Sequence, residues 1–317
     1  MSAMAAEYIL PAAEGRKPSA ARPRHTGAHR AMENALHTIF LLCGVVAVAF
    51  VLLISVYLIV SGIPAIREIG LVKFLFGKVW DPTNTTTGAQ YGILAFLLTS
   101  IYGTAGAILI GVPVGLMTAV FLARVAPPRL AAVIRTAVQL LAGIPSVVYG
   151  LVGMIVLVPA IQRTFSLSSG ACLLAAILVL AVMILPSIVN VSETALRAVP
   201  REYEEASLAL GATEVETCFR VTLPAARSGV ATAVVLGVGR AIGEAMAIIM
   251  VAGNVSNMPG LFTPVRFLTT GIVSGMAYAS VGSLYQQALY SIALVLFLFI
   301  MLINVVLNRF IKKRKED

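Results

Sequence analysis

Charge is scarce in this chain. Only 12% of its 317 residues are Asp, Glu, Lys or Arg, against about 25% in a soluble domain. With 59% of residues hydrophobic, that deficit excludes a soluble globular enzyme and leaves a polytopic membrane protein. Cysteine is nearly absent: Cys43 and Cys172 lie in apolar segments and Cys218 in a polar one. No disulfide framework follows, and the three read as small inert side chains. Histidine is equally rare. His25 and His29 have a helical i, i+4 spacing but lie in a polar N-terminal stretch, so no metal site is expected. No His, Asp or Cys cluster at catalytic spacing occurs within the apolar segments, which argues against an integral-membrane enzyme. The G-x-x-x-x-G-K-[ST] phosphate loop is missing too. Gly237, Gly239 and Gly243 are not followed by Lys-Ser/Thr, so this chain is expected to bind no cofactor. Those glycines, like Gly103, Gly111 and Gly115, read as sites of close helix packing.

What the chain does have is long apolar runs. A helix needs about 20 apolar residues to cross a bilayer. Six segments qualify, at about 38–62, 93–122, 132–160, 169–191, 229–253 and 286–308. The second contains Pro113, the third Pro145 and the fourth Pro186. Residues 1–36 read as a disordered basic tail, 37–310 as the membrane domain and 311–317 as a basic C-terminal tail. The first apolar run is too long for a signal-peptide core and reads as an uncleaved span.

The net charge of +9 does not point to nucleic acid, because the basic residues lie in loops and tails between apolar runs. They are strongly biased to one side. Arg16, Lys17, Arg22, Arg24 and Arg30 precede the first span, and Arg124, Arg129 and Arg135 follow the second. Arg197, Arg201, Arg220 and Arg227 flank the polar stretch after the fourth, and Arg309, Lys312, Lys313, Arg314 and Lys315 close the chain. The other side has only Arg67, Lys73, Lys78, Arg163 and Arg266. The positive-inside rule then puts both termini in the cytoplasm. Two longer loops, about 63–91 and 254–285, fall on the outer face, the first with the single tryptophan, Trp80. Trp80 and the loop tyrosines read as interfacial anchors or as part of a docking face for a delivery protein.

The most informative segment is the polar stretch 202–224, EYEEASLALGATEVETCFRVTLP. It is too polar to cross a bilayer. Pro200 suits the first position of a helix, and Glu202, Glu204 and Glu205 then fall where the helix dipole favours negative charge. Gly211 is placed to end that helix in a left-handed conformation. Thr213 and Glu216 have the spacing of a capping box for a second helix, which Leu223-Pro224 is expected to end. Small residues at Ala206, Ser207 and Ala209 allow close approach to another surface.

The order Glu205-Ala206-Ser207, Gly211 and then Val221-x-Leu223-Pro224 resembles the EAA motif of the permease subunits of ATP-binding-cassette importers. The resemblance extends to VWDP at 79–82, GIPSVVYGLVGM at 143–154 and GRAIGEAMAIIMVAGN at 239–254, which look like the phosphate-importer permeases of the PstC type rather than their PstA partners. The resemblance implies an all-α membrane protein with the six-helix fold of type I importer permeases. It implies a coupling loop at about 193–227 in which Glu205, Ala206, Ser207, Gly211, Leu223 and Pro224 face an ATPase. It also implies partners: a PstA-like second permease, a PstB-like ATPase dimer that uses ATP and Mg, and a PstS-like phosphate-binding protein, all at a bacterial or archaeal cytoplasmic membrane. Besides lipid, no other partner is expected, and no nucleic acid.

Arg240 and Glu244 are the ionisable residues deepest in an expected span. Such residues usually pair or face a cavity, and an unbroken helix would put these two on one face. They are read as an ion pair that either fixes packing or meets the translocating anion, arginine being suited to oxyanions by its planar fork. Ser146 and Tyr149 are further path candidates, because Pro145 should break the third span beside them. A permease for another oxyanion or small solute, and an ion-coupled secondary transporter, are the competing readings.

Overall fold

The computed structural model describes residues 27–316 apart from 85 and 87. It divides into two compact units, residues 1–55 and 56–317. Helix α1, Gly27–Ile69, supplies all that is described of the first unit, and residues 32–54 are exposed throughout it. The helix begins at Gly27, so residues 27–36 are helical where a disordered tail was expected; residues 1–26, with His25, lie outside the described residues.

In the second unit the longest helices are α3 (Leu94–Val120, extended by a π turn to Val125), α7 (Leu173–Arg197) and α14 (Leu284–Glu316). The core forms around α7. Its Ile184 and Ile188 are buried, and the glycines of two neighbours make room for them. A Cβ on Gly111 or Gly115 of α3 would meet these isoleucines at 2.7 and 2.8 Å. One on Gly237 of α11 (Arg227–Gly243) would meet Ile188 at 3.1 Å. Packing through small residues thus explains these three glycines, and Gly103 against Phe267 as well. It does not explain Gly239 and Gly243, where an added Cβ would touch nothing within 4 Å.

Among the described residues five helices are long and apolar enough to span a bilayer, or six if the bent pair Glu214–Ala225 and Arg227–Gly243 counts as one span. Two spans differ from expectation. The segment 132–160 is two objects: α4 (Pro128–Gly143) and, after a break at Ile144-Pro145, the span Ser146–Thr164. Helix α4 is amphipathic, burying Ala131 and Val138 one side-chain row apart while exposing Val133 and Leu140. The segment 229–253 is likewise broken. Helix α11 stops at Gly243, and α12, Met246–Val251, starts afresh.

The rest of the helical chain comprises α2 (Leu71–Phe76), α5 (Ser146–Val152), α6 (Val158–Thr164), α8 (Arg201–Ala209), α9 (Glu214–Thr217), α10 (Leu223–Ala225) and α13 (Leu268–Met276), with π turns at Gly153–Leu157 and Cys218–Thr222. A two-residue antiparallel pairing, β1 (Trp80–Asp81) with β2 (Gln90–Tyr91), interrupts the all-α pattern. Trp80 is not an interfacial anchor. It is buried in an aromatic cluster with Tyr91, Phe96 and Tyr285 at centroid distances of 5.7, 5.5 and 6.2 Å.

Candidate functional site

The polar stretch folds as two short helices joined by a tight turn. Pro200 stands at the N-cap of α8, one place before the first helical residue where it was expected. Gly211 has φ of +87°, a conformation nearly free for glycine and strained for any L residue. Thr213 then caps α9: its hydroxyl accepts from the Glu216 amide at 3.2 Å, and the Glu216 carboxylate accepts from the Thr213 amide at 3.1 Å. Ser207 and Thr217 hydroxyls meet at 2.8 Å and tie the two helices together. The second helix stops at Ala225, one residue past Leu223-Pro224. The helical path runs through a π turn, Cys218–Thr222, into α10, with Pro224 in its last residues. It then turns by 72° into α11. Glu205 and Ala206 are exposed, and Leu210 is 90% exposed at the tip.

The structure adds contacts that sequence reading missed. Glu204, expected only to favour the helix dipole, accepts from the Arg124 guanidinium at 2.6 Å and from the Thr222 hydroxyl at 2.9 Å. The same Nη2 of Arg124 reaches the Leu196 carbonyl at 2.6 Å. The ends of α3 and α7 are thus joined to α8 through one side chain. Beside this junction the buried carboxylate of Glu193 on α7 takes Arg135 of α4 at 2.6 Å and Arg197 at 2.9 Å. Arg197 also donates to the Leu122 carbonyl at 3.0 Å. The only local signal for this cluster was the i, i+4 spacing of Glu193 and Arg197.

Arg240 and Glu244 do not pair. The ion pairs among the described residues are Arg124–Glu204, Arg135–Glu193 and Arg197–Glu193. The premise of a shared helix face fails because Glu244 is extended, with ψ of 133°. Its carboxylate instead accepts from the Ala247 amide at 3.1 Å, capping α12, and its carbonyl accepts from the Thr269 hydroxyl at 2.7 Å. Arg240, in the last turn of α11, is half-buried and makes no hydrogen bond or ion pair among the described residues. Tyr149 is committed: its hydroxyl donates to the Leu141 carbonyl at 2.7 Å, bridging the break between α4 and α5. Ser146 opens α5 directly after Pro145 and is half-buried.

Residues 111–315 match the family model described as "Binding-protein-dependent transport system inner membrane component". The chain is 39% identical over 274 residues, 84% of its own length and 88% of the relative's, to a probable ABC transporter permease, YqgH, of Bacillus subtilis. It is 34% identical over 292 residues, 84% and 90% of the two chains, to the phosphate transport system permease protein PstC of Haemophilus influenzae. Among solved structures it resembles a chain of the MetNI methionine ABC transporter (TM-score 0.56, 21% identity, 70% of this chain and 95% of that one). It also resembles a chain of a bacterial alginate ABC transporter (TM-score 0.56, 16% identity, 89% and 96%). The helices above are therefore the type I importer permease fold in a multi-pass membrane protein, and the chain belongs to the inner membrane component family of binding-protein-dependent transport systems, as the permease component of an ABC importer.

Proposed function

We propose that this chain is the PstC-type subunit of an ATP-driven phosphate importer in a cytoplasmic membrane. Relatives named for phosphate transport, alike over most of their length, support the substrate. The observation that carries the reading within the chain is the state of Arg240. It lies in the last turn of a helix before a break in a membrane segment, half-buried, with no carboxylate in partnership. An uncompensated cation there is costly, and a passing oxyanion can offset it with bidentate hydrogen bonds. Glu244 supports the break rather than neutralising Arg240. Ser146 and Tyr149 act at the second break, Tyr149 by fastening it.

In this reading a PstA-like permease completes the path, a PstS-like protein delivers phosphate, and a PstB-like ATPase dimer uses ATP and Mg. Both termini and the α8–α9 platform face the cytoplasm. Glu205, Ala206, Ser207 and Gly211 present that platform to the ATPase, while Leu223 and Pro224 carry its motion into α11. A permease for another oxyanion is the second reading, since the Bacillus subtilis relative is named without a substrate.

The test is phosphate-stimulated ATP hydrolysis by the reconstituted complex with its binding protein. Stimulation in the wild type that is lost in an intact Arg240→Ala complex is the expected result. Stimulation by another solute and not by phosphate would discard the substrate. Stimulation unchanged by Arg240→Ala would remove Arg240 from the path.

A further inference from the structure

A second half-buried arginine without a carboxylate partner among the described residues lies in the loops. Arg266 lines a cavity of about 700 Å³ together with Thr83, Ser256, Tyr278, Ser280 and Tyr285. The loops that form it, before α3 and between α12 and α14, connect spans on the side opposite the α8–α9 platform when the spans alternate. Arg266 is held rigidly. Its Nε and Nη2 donate to the Asn254 carbonyl at 3.0 and 2.6 Å, and Nε also to the Asn254 side-chain oxygen at 3.0 Å. Asn254 is itself fixed at φ of +53° and donates to Ser274 at 2.8 Å. The Phe96 ring lies 5.8 Å from the guanidinium carbon. All these partners are neutral, and Nη1 makes no hydrogen bond among the described residues. Burial lowers the proton affinity of Arg266 from its ordinary value, and no carboxylate restores it. An arginine nonetheless stays protonated. Asp81, between the lining residues Trp80 and Pro82, is turned to Thr83 and Asn84 instead. The hydroxyls of Ser256, Tyr278, Ser280 and Tyr285 also make no hydrogen bonds among the described residues.

A preorganised cation, an open donor and unengaged hydroxyls in one cavity suit a small tetrahedral oxyanion. We propose that this cavity is an anion-binding vestibule of the transporter, holding a phosphate-class oxyanion on Arg266 before it enters the membrane. The inference rests on the importer reading above and adds a site distinct from Arg240. The two are linked through the chain: α13 begins two residues after Arg266, and its Thr269 holds the Glu244 carbonyl at the α11–α12 break.

The test places a cysteine at Ser256 in the assembled transporter and compares its modification by anionic and cationic thiosulfonate reagents, with the parent chain as blank. The anionic reagent should react faster by about tenfold, the lower end of what a charged cleft gives. Arg266→Gln should abolish the preference, Arg266→Lys should retain much of it, and inorganic phosphate should slow the reaction. Equal rates for the two reagents, or a preference that survives Arg266→Gln, would overturn the inference. Normal phosphate uptake in that case would leave the importer reading standing. Protection by sulfate but not phosphate would support the vestibule and count against phosphate as the cargo.

Discussion

Replacing Glu204 by alanine tests whether the platform is wired to the membrane helices through Arg124. The carboxylate holds two groups at once, the Arg124 guanidinium at 2.6 Å and the Thr222 hydroxyl at 2.9 Å. Both charged side chains are about one-fifth exposed, 19% and 20%, so water screens them only in part. A hydrogen bond to a charged group contributes about 1.5–3 kcal/mol. Arg124 also has a buried Nε with no partner, so losing Glu204 would leave it worse compensated. A local cost of about 2–3 kcal/mol follows, or about 30- to 150-fold in the equilibrium between docked and undocked α8. The global fold should survive, because the core around α7 is untouched. Amide hydrogen exchange over residues 201–217 should therefore accelerate by that factor, while α7 amides stay protected. In the reconstituted complex, ATP hydrolysis should persist as transport per ATP falls. Thr222→Val should give the same pattern at about 1.5 kcal/mol, the low end of that range. Unchanged exchange in the platform, or faster exchange with fully coupled transport, would refute the wiring.

Removing Glu193 should destabilise the assembled protein by about 1–3 kcal/mol, below the 3–5 for a fully buried pair because its two arginines are partly exposed. Thermal unfolding of the solubilised complex measures this, and Arg135→Met with Glu193→Leu should recover part of the loss. Gly211→Ala should cost about 1–2 kcal/mol from its positive φ alone, since an added Cβ touches nothing. Gly170→Ala should prevent accumulation of folded protein in membranes, because its Cβ would overlap the Val158 carbonyl oxygen. Trp80→Ala should cost about 3–5 kcal/mol by emptying an aromatic core. An unchanged melting temperature with lost binding-protein association would restore Trp80 to a docking role.

The platform was legible because its signals are local. A glycine needing positive φ and a threonine–glutamate cap depend on residues within four positions of each other. Apolar length likewise marked the long helices. What was hidden depends on distance or on a break. Hydropathy averaged over 132–160 merged α4 with the next span, although Arg135 and Gln139 lie on the stripe that faces Glu193. Arg135 and Glu193 are 58 positions apart, and no local period links them. The Arg240–Glu244 spacing suggested a pair only on an unbroken helix, and α11 stops between them. Trp80 looked like an interface residue because its three aromatic neighbours come from β2, α3 and α14.

Glu193 has one more consequence. The same oxygen, Oε1, accepts from Arg135 of α4 and from Arg197 of its own helix. If α4 swings away and takes Arg135 with it, Arg197 stays 2.9 Å from the carboxylate. The charge is then never stranded, which is the step that makes breaking a buried pair costly. A spare counter-ion of this kind lets a helix detach and return at low cost.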